Sequence, residues 1–400
     1  MSHLERSFDV VIIGAGLAGA CSAFALAQRG AKVALLDSQA EMASKGSGNA
    51  LGLITPYLSL KTSPLESFYS AGYRFTQNFL TRFPDTAKTF QATGALQLPS
   101  TTRLRNLIDS NSTILGAEYT ARITSAEASE LAQTVINHKA VFVRDGGFIS
   151  PRDFALGAIN HYPNEIKLII NSECVDIRRN QKNWAVITRA GLELTAPHVI
   201  LCAASDSAKF HQSAWVPLEP VRGQTAIIEE TSALKCVVSY GGYITPAANQ
   251  RHFIGAHYSH DDSEPNPRDT DTDSVIDLCS KWLPEFGSLR RENISSRVCF
   301  RASTIDRLPY IGALPNFNLM RERASQYRSG TDLKSKINLE LIPGLFINAG
   351  HGSRGLISCP MAGEILARTI SEQEIGDLSD AALSSSPSRL PWRIIRAAHP

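Results

Sequence analysis

Cysteine is sparse and never paired in spacing. Cys21, Cys174, Cys202, Cys236, Cys279, Cys299 and Cys359 are scattered, with no C-x-x-C among them. An odd, dispersed set excludes a disulfide framework and a cysteine zinc site, and it fits reduced thiols in a cytoplasmic setting. Charge of one sign is also lacking: 40 Lys and Arg stand against 38 Asp and Glu, a formal +2, too little to announce a nucleic-acid binder. No apolar run is long enough to cross a bilayer, so no membrane partner is expected. The apolar segment ending Ala25-Leu26-Ala27 after Arg6 has the outline of a secretory signal. Three glycines break it at motif spacing, however, and no cleavage region follows. Internal repeats and long low-complexity tracts are absent. His257-x-x-His260 with Asp261 and Asp262 is the best metal candidate and reads better as a polar loop, so no metal is expected.

What is present is an ordinary globular composition, 43% hydrophobic and 20% charged, and 400 residues suffice for two domains. The first strong pattern is Phe8-Asp9-Val10-Val11-Ile12-Ile13 running into Gly14-Ala15-Gly16-Leu17-Ala18-Gly19. The apolar run suits a strand buried on both faces. Gly14 permits a tight turn, Gly16 allows backbone to approach a pyrophosphate, and Gly19 allows the next helix to pack closely. That helix is expected over about 17–29, ended by Gly30, and its N-terminal amides favour a diphosphate. Lys32-Val33-Ala34-Leu35-Leu36 reads as a second strand ending in Asp37, an acid placed to hydrogen-bond a ribose hydroxyl.

A second glycine turn, Gly350-His351-Gly352-Ser353-Arg354-Gly355, follows Leu345-Phe346-Ile347-Asn348. Two such turns bracketing the chain point to one large dinucleotide, FAD, held by both ends of the sequence. After Asp37 comes a polar, small-residue loop, Ser44-Lys45-Gly46-Ser47-Gly48-Asn49-Ala50-Leu51-Gly52, suited to close approach of a ligand. Helices are expected over 64–83 and about 125–137. Residues 165–201 are strand-like and read as a return to the nucleotide-binding sheet, and 217–310 suit a mixed second sheet. The fold class expected is α/β and α+β, a discontinuous Rossmann-like FAD-binding domain with an inserted mixed-sheet substrate domain. The FAD-binding parts are 1–63, 140–215 and 337–385, the substrate parts 64–139 and 216–336, and 386–400 forms a tail. Cations gather at Arg290, Arg291 and Arg297, at Arg321, Arg323, Arg328, Lys334 and Lys336, and at Arg389, Arg393 and Arg396. They suit either a phosphate-binding patch or a solvated loop and tail.

The two glycine turns, with Phe300-Arg301-Ala302-Ser303-Thr304-Ile305-Asp306-Arg307-Leu308-Pro309-Tyr310-Ile311-Gly312 between them, resemble the D-amino acid oxidase and glycine oxidase superfamily. A closer resemblance spans nearly the whole chain. Gly46-Ser47-Gly48-Asn49 with Tyr57-Leu58-Ser59, Val221-Arg222-Gly223-Gln224, Gly242 to Pro246, Ile254 to Tyr258 and Gly352 to Pro360 carry it. It is to the C-terminal oxidoreductase domain of the bifunctional tRNA 5-methylaminomethyl-2-thiouridine biosynthesis proteins (MnmC). Two departures are visible. The usual Gly-Ala-Ser-Gly-Asn pattern has its first glycine elsewhere here. Only seven residues precede the first strand, so methyl transfer is expected either from a separate tRNA methyltransferase as partner or not at all.

The resemblance implies an FAD-dependent oxidoreductase acting on CH–NH groups, with tRNA bearing a modified wobble uridine as substrate and dioxygen as electron acceptor. The reaction it implies turns 5-carboxymethylaminomethyl(-2-thio)uridine into 5-aminomethyl(-2-thio)uridine and glyoxylate; an oxidase of free glycine, sarcosine or D-amino acids is the alternative. Arg301 matches the position that holds the substrate carboxylate in those oxidases, its other reading being an ion pair with Asp306 or a bond to a backbone carbonyl. Tyr243 matches a substrate-pocket tyrosine, with Tyr258 and His257 as further pocket candidates. Flavin contacts are implied at Gly14, Gly16, Leu17, Ala18, Gly19, Asp37, Ser47, Gly48, Asn49, Gly52, Val175, Ala203, Gly350, Gly352, Ser353, Arg354 and Gly355. Arg354 reads equally as a flavin or substrate contact or as a brace of its turn.

Overall fold

Val10–Ile13 (β1) is apolar and buried at every position, as a strand covered on both faces must be. It lies inside a six-stranded sheet in the order Tyr310–Pro315 (β18), Leu341–Ala349 (β19), His198–Leu201 (β12), β1, Val33–Leu36 (β2) and Ile166–Ile169 (β8). Five of these strands run parallel and β18 closes one edge antiparallel. The helices Leu17–Ala27 and Gly355–Ile370 follow β1 and β19 and pack together through small residues. A Cβ on Gly363 would come within 2.4 Å of the Cys21 carbonyl oxygen, so only glycine lets these backbones approach. This is a computed structural model, and it describes residues 6–110, 118–289, 291–327, 332 and 336–398.

The chain divides into two units. The first comprises Met1–Ser44, Ala155–Glu219 and Ala302–Pro400, the second Lys45–Phe154 and Pro220–Arg301. In the first, the strand-like stretch 165–201 splits: β8 and β12 join the parallel sheet. Cys174–Asn180 (β9), Asn183–Thr188 (β10) and Glu193–Ala196 (β11) form a separate antiparallel meander. Burial alternates along β10 and β11 instead of running continuously, the signature of a sheet with one wet face.

The second unit is built on an eight-stranded sheet. Its order is Ile294–Ser303 (β17), Glu219–Ile228 (β13), His252–Ser259 (β16), Tyr243–Ile244 (β15), Val237–Ser239 (β14), Ala95–Gln97 (β4), Ala140–Val143 (β6) and Thr120–Ile123 (β5). One face buries Leu96, Ala226, Ile228, Val238, Ile244 and Ile254 against Val275 and Cys279 of the helix Asp269–Trp282. Gly52–Ile54 (β3) pairs with Gly147–Ile149 (β7) as a two-stranded ribbon. The helix Pro64–Arg82 starts at Ser63, whose hydroxyl accepts from the Glu66 amide, with proline at its first position.

These units redraw the boundaries read from sequence. Residues 45–63 and 140–154 leave the nucleotide domain because β3 and β7 pair with each other. Residues 302–336 join it because β18 adds to β19. The segment 386–400, read as a tail, belongs to the first unit: Ile395 of the helix Pro391–Ala398 packs against Phe317 and Met320.

Candidate active site

The first glycine turn is shaped by backbone crowding. Gly14 has φ +107°, and a Cβ there would lie 2.6 Å from the Cys202 carbonyl oxygen; one on Gly19 would lie 1.9 Å from that of Gly14. Gly16 precedes the helix Leu17–Ala27 without a capping side chain, and the first turn holds no acid. The helix start therefore suits an external anion, and a diphosphate fits. Asp37 is already committed to this turn: its carboxylate accepts from the Ala15 amide at 2.8 Å and from the Gln39 amide at 2.9 Å. Each oxygen keeps a second lone pair, so a ribose hydroxyl remains chemically admissible.

β1, β12 and β19 run parallel, so the turns after β1 and β19 leave the same carboxyl edge of the sheet, where nucleotides bind in open α/β sheets. Ala203 lies two residues past the end of β12 at that edge, whereas Val175 is exposed on β9. A buried polar chain ties the two turns together. Ser22 Oγ donates to the Ala18 carbonyl at 2.8 Å, and Asn348 Nδ2 donates to Ser22 Oγ at 3.0 Å. Asn348 Oδ1 faces His351 Nε2 and Ser358 Oγ faces His351 Nδ1, each at 2.8 Å, while Ser358 Oγ also lies 2.8 Å from the Arg354 carbonyl. With Nδ2 donating, Asn348 Oδ1 must accept, which places the imidazole proton on Nε2. Burial pushes the His351 pKa down to about 4, so the ring is neutral. Sequence reasoning assigned no role to Asn348 and Ser358, although both lie in stretches it singled out, and it passed over Ser22 because an isolated Ser in an apolar helix carries no motif.

In the second unit, the sheet face opposite the core carries Gly223, Thr225, Gly255, Tyr243, Ser239 and Gln97. A β-bulge decides which residues reach it. Gln224 pairs with His257 and Thr225 with Gly255, leaving Ala256 without a partner. The extra residue shifts the alternation, so Tyr258 shares the face of Gly255 and Tyr243 while His257 turns to the other. Both tyrosines lie over glycines of the neighbouring strand. A Cβ on Gly255 would stand 2.2 Å from the Tyr243 ring, and one on Gly223 3.2 Å from that of Tyr258. Arg301, on β17, donates to Tyr258 Oη, and its guanidinium carbon lies 4.7 Å from the centre of that ring. Arg301 stays cationic, as a guanidinium does at any ordinary pH. Burial pushes the Tyr243 phenol up, so it remains a neutral donor; its hydroxyl reaches the Leu51 carbonyl at 3.5 Å.

Arg301 makes no ion pair with Asp306. Arg389 takes that carboxylate in two-pronged fashion, at 2.8 and 3.0 Å, and also donates to the carbonyls of Leu308, Pro309, Ser385 and Ser386. Among the described residues, Arg301 has no carboxylate partner. Its opposite is Arg222, fully buried, bonded to Asp271 at 2.6 Å and to Gln224 and the carbonyls of Glu264 and Asn266. His257 faces this cluster, 3.8 Å from Asp271, and so stands apart from Arg301.

The loop after Ser44 is held by β17. Arg297 donates to Asn49 Oδ1 at 2.7 Å and to the Lys45 carbonyl at 2.9 Å, and the Gly48 amide donates to the Lys45 carbonyl. Ser47, Gly48, Asn49 and Gly52 thus belong to the unit that carries Arg301. Other cations of the sequence runs are engaged: Arg323 with Glu340, and Arg396 with Asp332 at 3.7 Å. Arg290, Arg328 and Lys334 lie outside the described residues. Among the described residues, no helix is long and apolar enough to cross a membrane.

The family model described as FAD dependent oxidoreductase matches residues 9–369. The chain belongs to that family. It is thereby an FAD-dependent oxidoreductase, and the glycine turns are the part of the first unit that fits this cofactor. Among curated relatives it is 29% identical over 404 residues to the tRNA 5-methylaminomethyl-2-thiouridine biosynthesis bifunctional protein MnmC of Stutzerimonas stutzeri (strain A1501), covering 99% of this chain and 59% of that protein. Identity to the protein of the same name from Chromobacterium violaceum is 30%, covering 99% and 59%. The chain spans about three-fifths of the length of these relatives. Glycine oxidase from Geobacillus kaustophilus shares the fold at a TM-score of 0.73 and 20% identity, over 94% of this chain and 97% of that one. L-proline dehydrogenase from P. horikoshii does so at 0.73 and 18%, over 98% and 99%. The D-amino acid oxidase type of architecture read from the sequence is therefore the observed one.

Proposed function

We propose that this chain oxidises the carboxymethylaminomethyl substituent of a tRNA wobble uridine, with or without 2-thiolation, to the aminomethyl form. The observation that carries this reading is Arg301: a cation on the polar sheet face, beside Tyr258 and Tyr243, without a carboxylate of its own. A guanidinium recognises a carboxylate with two parallel bonds, and the substituent ends in one. The names of the MnmC relatives, matched over nearly this whole chain, support tRNA as the carrier.

FAD supplies a two-electron acceptor, held at the turns Gly14–Gly19 and Gly350–Gly355. Arg301 binds the carboxylate with the donors that Tyr258 leaves over, and the neutral Tyr243 phenol supplies another once its single proton turns from the long contact with the Leu51 carbonyl. The same positive charge disfavours the ammonium form of the adjacent secondary amine, so the nitrogen enters with its lone pair and no dedicated base is needed. A hydride from the α-carbon and the proton on nitrogen leave, giving a substrate imine. Water adds across the C=N bond, the C–N bond breaks, and glyoxylate and the primary amine depart. The two electrons end on dioxygen as hydrogen peroxide.

Mass spectrometry of wobble nucleosides from cells lacking the protein tests this. Carboxymethylaminomethyl uridine should accumulate, and an unchanged nucleoside profile would refute the reading. An α-amino acid offers Arg301 the same carboxylate, which supports free glycine, sarcosine or D-amino acids as a second reading. Turnover of free glycine as efficient as that of modified tRNA would favour it.

A further inference from the structure

Tyr57-Leu58-Ser59 has no part in the chemistry above, yet it continues the face that carries Arg301. Tyr243 pairs with Ser239 and Ser239 with Gln97, and directly opposed residues point to one side of a sheet. The segment after Gly48 runs along this side: Tyr243 Oη donates to the Leu51 carbonyl at 3.5 Å, and Gln97 Nε2 to the Pro56 carbonyl at 3.4 Å. Two strand spacings separate those anchors, about 10 Å. Immediately beyond the second anchor, the Arg103 guanidinium lies over the Tyr57 ring, 4.4 Å from its centre, and donates to the Leu58 carbonyl. Tyr69 stands on the same ring system at 6.2 Å. Tyr57 and Arg103 are both half-buried, Leu58 is buried as the anchor beneath them, and Lys61 and Arg105 are exposed nearby in the chain.

Resting on the tRNA reading above, we infer that Tyr57 and Arg103 form a stacking platform for a nucleobase flanking the oxidised uridine. A planar cation fixed face-on to an aromatic ring presents flat surface at little entropic cost, and single-stranded RNA is recognised by bases splayed onto such planes. Exposed Lys61 and Arg105, within four residues of the pair along the chain, are of the type that answers phosphates. A free amino acid ends within reach of Arg301 and Tyr243 and has nothing to place 10 Å further along the face, whereas an RNA loop does.

The experiment uses the FAD-loaded full chain, a fluorescent anticodon stem-loop carrying the carboxymethylaminomethyl uridine, and the free modified nucleoside. Anisotropy measures stem-loop binding and glyoxylate release measures turnover. Arg103→Ala and Tyr57→Ala should weaken stem-loop binding about ten- to one-hundred-fold and lower the preference for stem-loop over nucleoside by a similar factor. Tyr57→Phe, which keeps the ring, should bind as the wild type does. Arg103→Lys, which keeps charge without a plane, should share the alanine defect and serves where the alanine variant fails to fold. Wild-type binding by Tyr57→Ala and Arg103→Lys overturns the platform. A wild-type chain that binds the stem-loop but releases no glyoxylate overturns the function while leaving the platform to be judged on binding. Absence of stem-loop binding by the wild type overturns both.

Discussion

Arg222 and Arg301 occupy adjacent strands of one sheet, on opposite faces, and only one of them is finished by the fold. Arg222 spends its donors on Asp271, Gln224 and two carbonyls, clasping the chain before the helix Asp269–Trp282. Arg301 has a tyrosine hydroxyl and a ring, with no acid. The same residue type thus acts as a structural rivet on the core face and as an open cation on the polar one. A half-buried charge without a counter-ion is tolerated where a ligand supplies it, which is the usual mark of a binding site.

The comparison breaks most visibly at Arg222. Arg222→Ala leaves Asp271 with only the longer contacts to His257 and Arg268 and frees Gln224 and two carbonyls, and it should lower unfolding free energy by about 3 kcal/mol, read from urea denaturation. Equal stability of variant and parent would mean that the clasp is dispensable. Arg301→Ala should instead keep folding and flavin content while lowering kcat/KM by about 100- to 1,000-fold, roughly 3–4 kcal/mol of lost binding. An Arg301→Ala chain that loses its yellow colour or its melting transition before its activity would erase the distinction.

Stability against pH separates the two roles further. The ordinary histidine pKa near 6.5 falls to about 4 for His351, so the unfolded chain binds a proton that the native one refuses. Stability is full above pH 6.5 and declines as pH drops towards 4, by about 2–4 kcal/mol from this group. His351→Gln should flatten that slope. An identical slope in parent and variant places the titration elsewhere. The smallest effect belongs to Tyr243→Phe, which removes one neutral donor and should lower kcat/KM by about 3- to 15-fold, roughly 0.5–1.5 kcal/mol. A loss as large as that of Arg301→Ala would make the phenol an equal holder of the carboxylate.

Much of the first unit was legible because its signals are local. A continuous apolar run, three glycines at fixed spacing and an acid after the next strand describe a βαβ element within thirty residues, and β1, β2 and the helix Leu17–Ala27 lie where that pattern put them. The meander of β9 to β11 was misread as part of the parallel sheet because short strands state their length but not their neighbour. The two compact units also divide the chain at other places than the sequence reading did, since β3 with β7 and β18 with β19 pair across long stretches of chain. In the second unit, Arg301, Tyr243 and Tyr258 fall on one face, but His257 does not. No periodicity could announce that, because a single unpaired residue, Ala256, reverses the alternation.

By itself the sequence determined the nucleotide-binding element, since only glycine meets the backbone contacts that Gly14 and Gly19 make and those contacts involve near neighbours in the chain or the adjoining strand. It also named the arginine. Tertiary structure alone decided what that arginine lacks: Arg389, more than eighty residues away, claims Asp306, and a bulge sets Tyr258 beside Arg301. Burial, partnering and facing are properties of a chain already packed, so charge availability is settled only when every competing donor has found its acceptor.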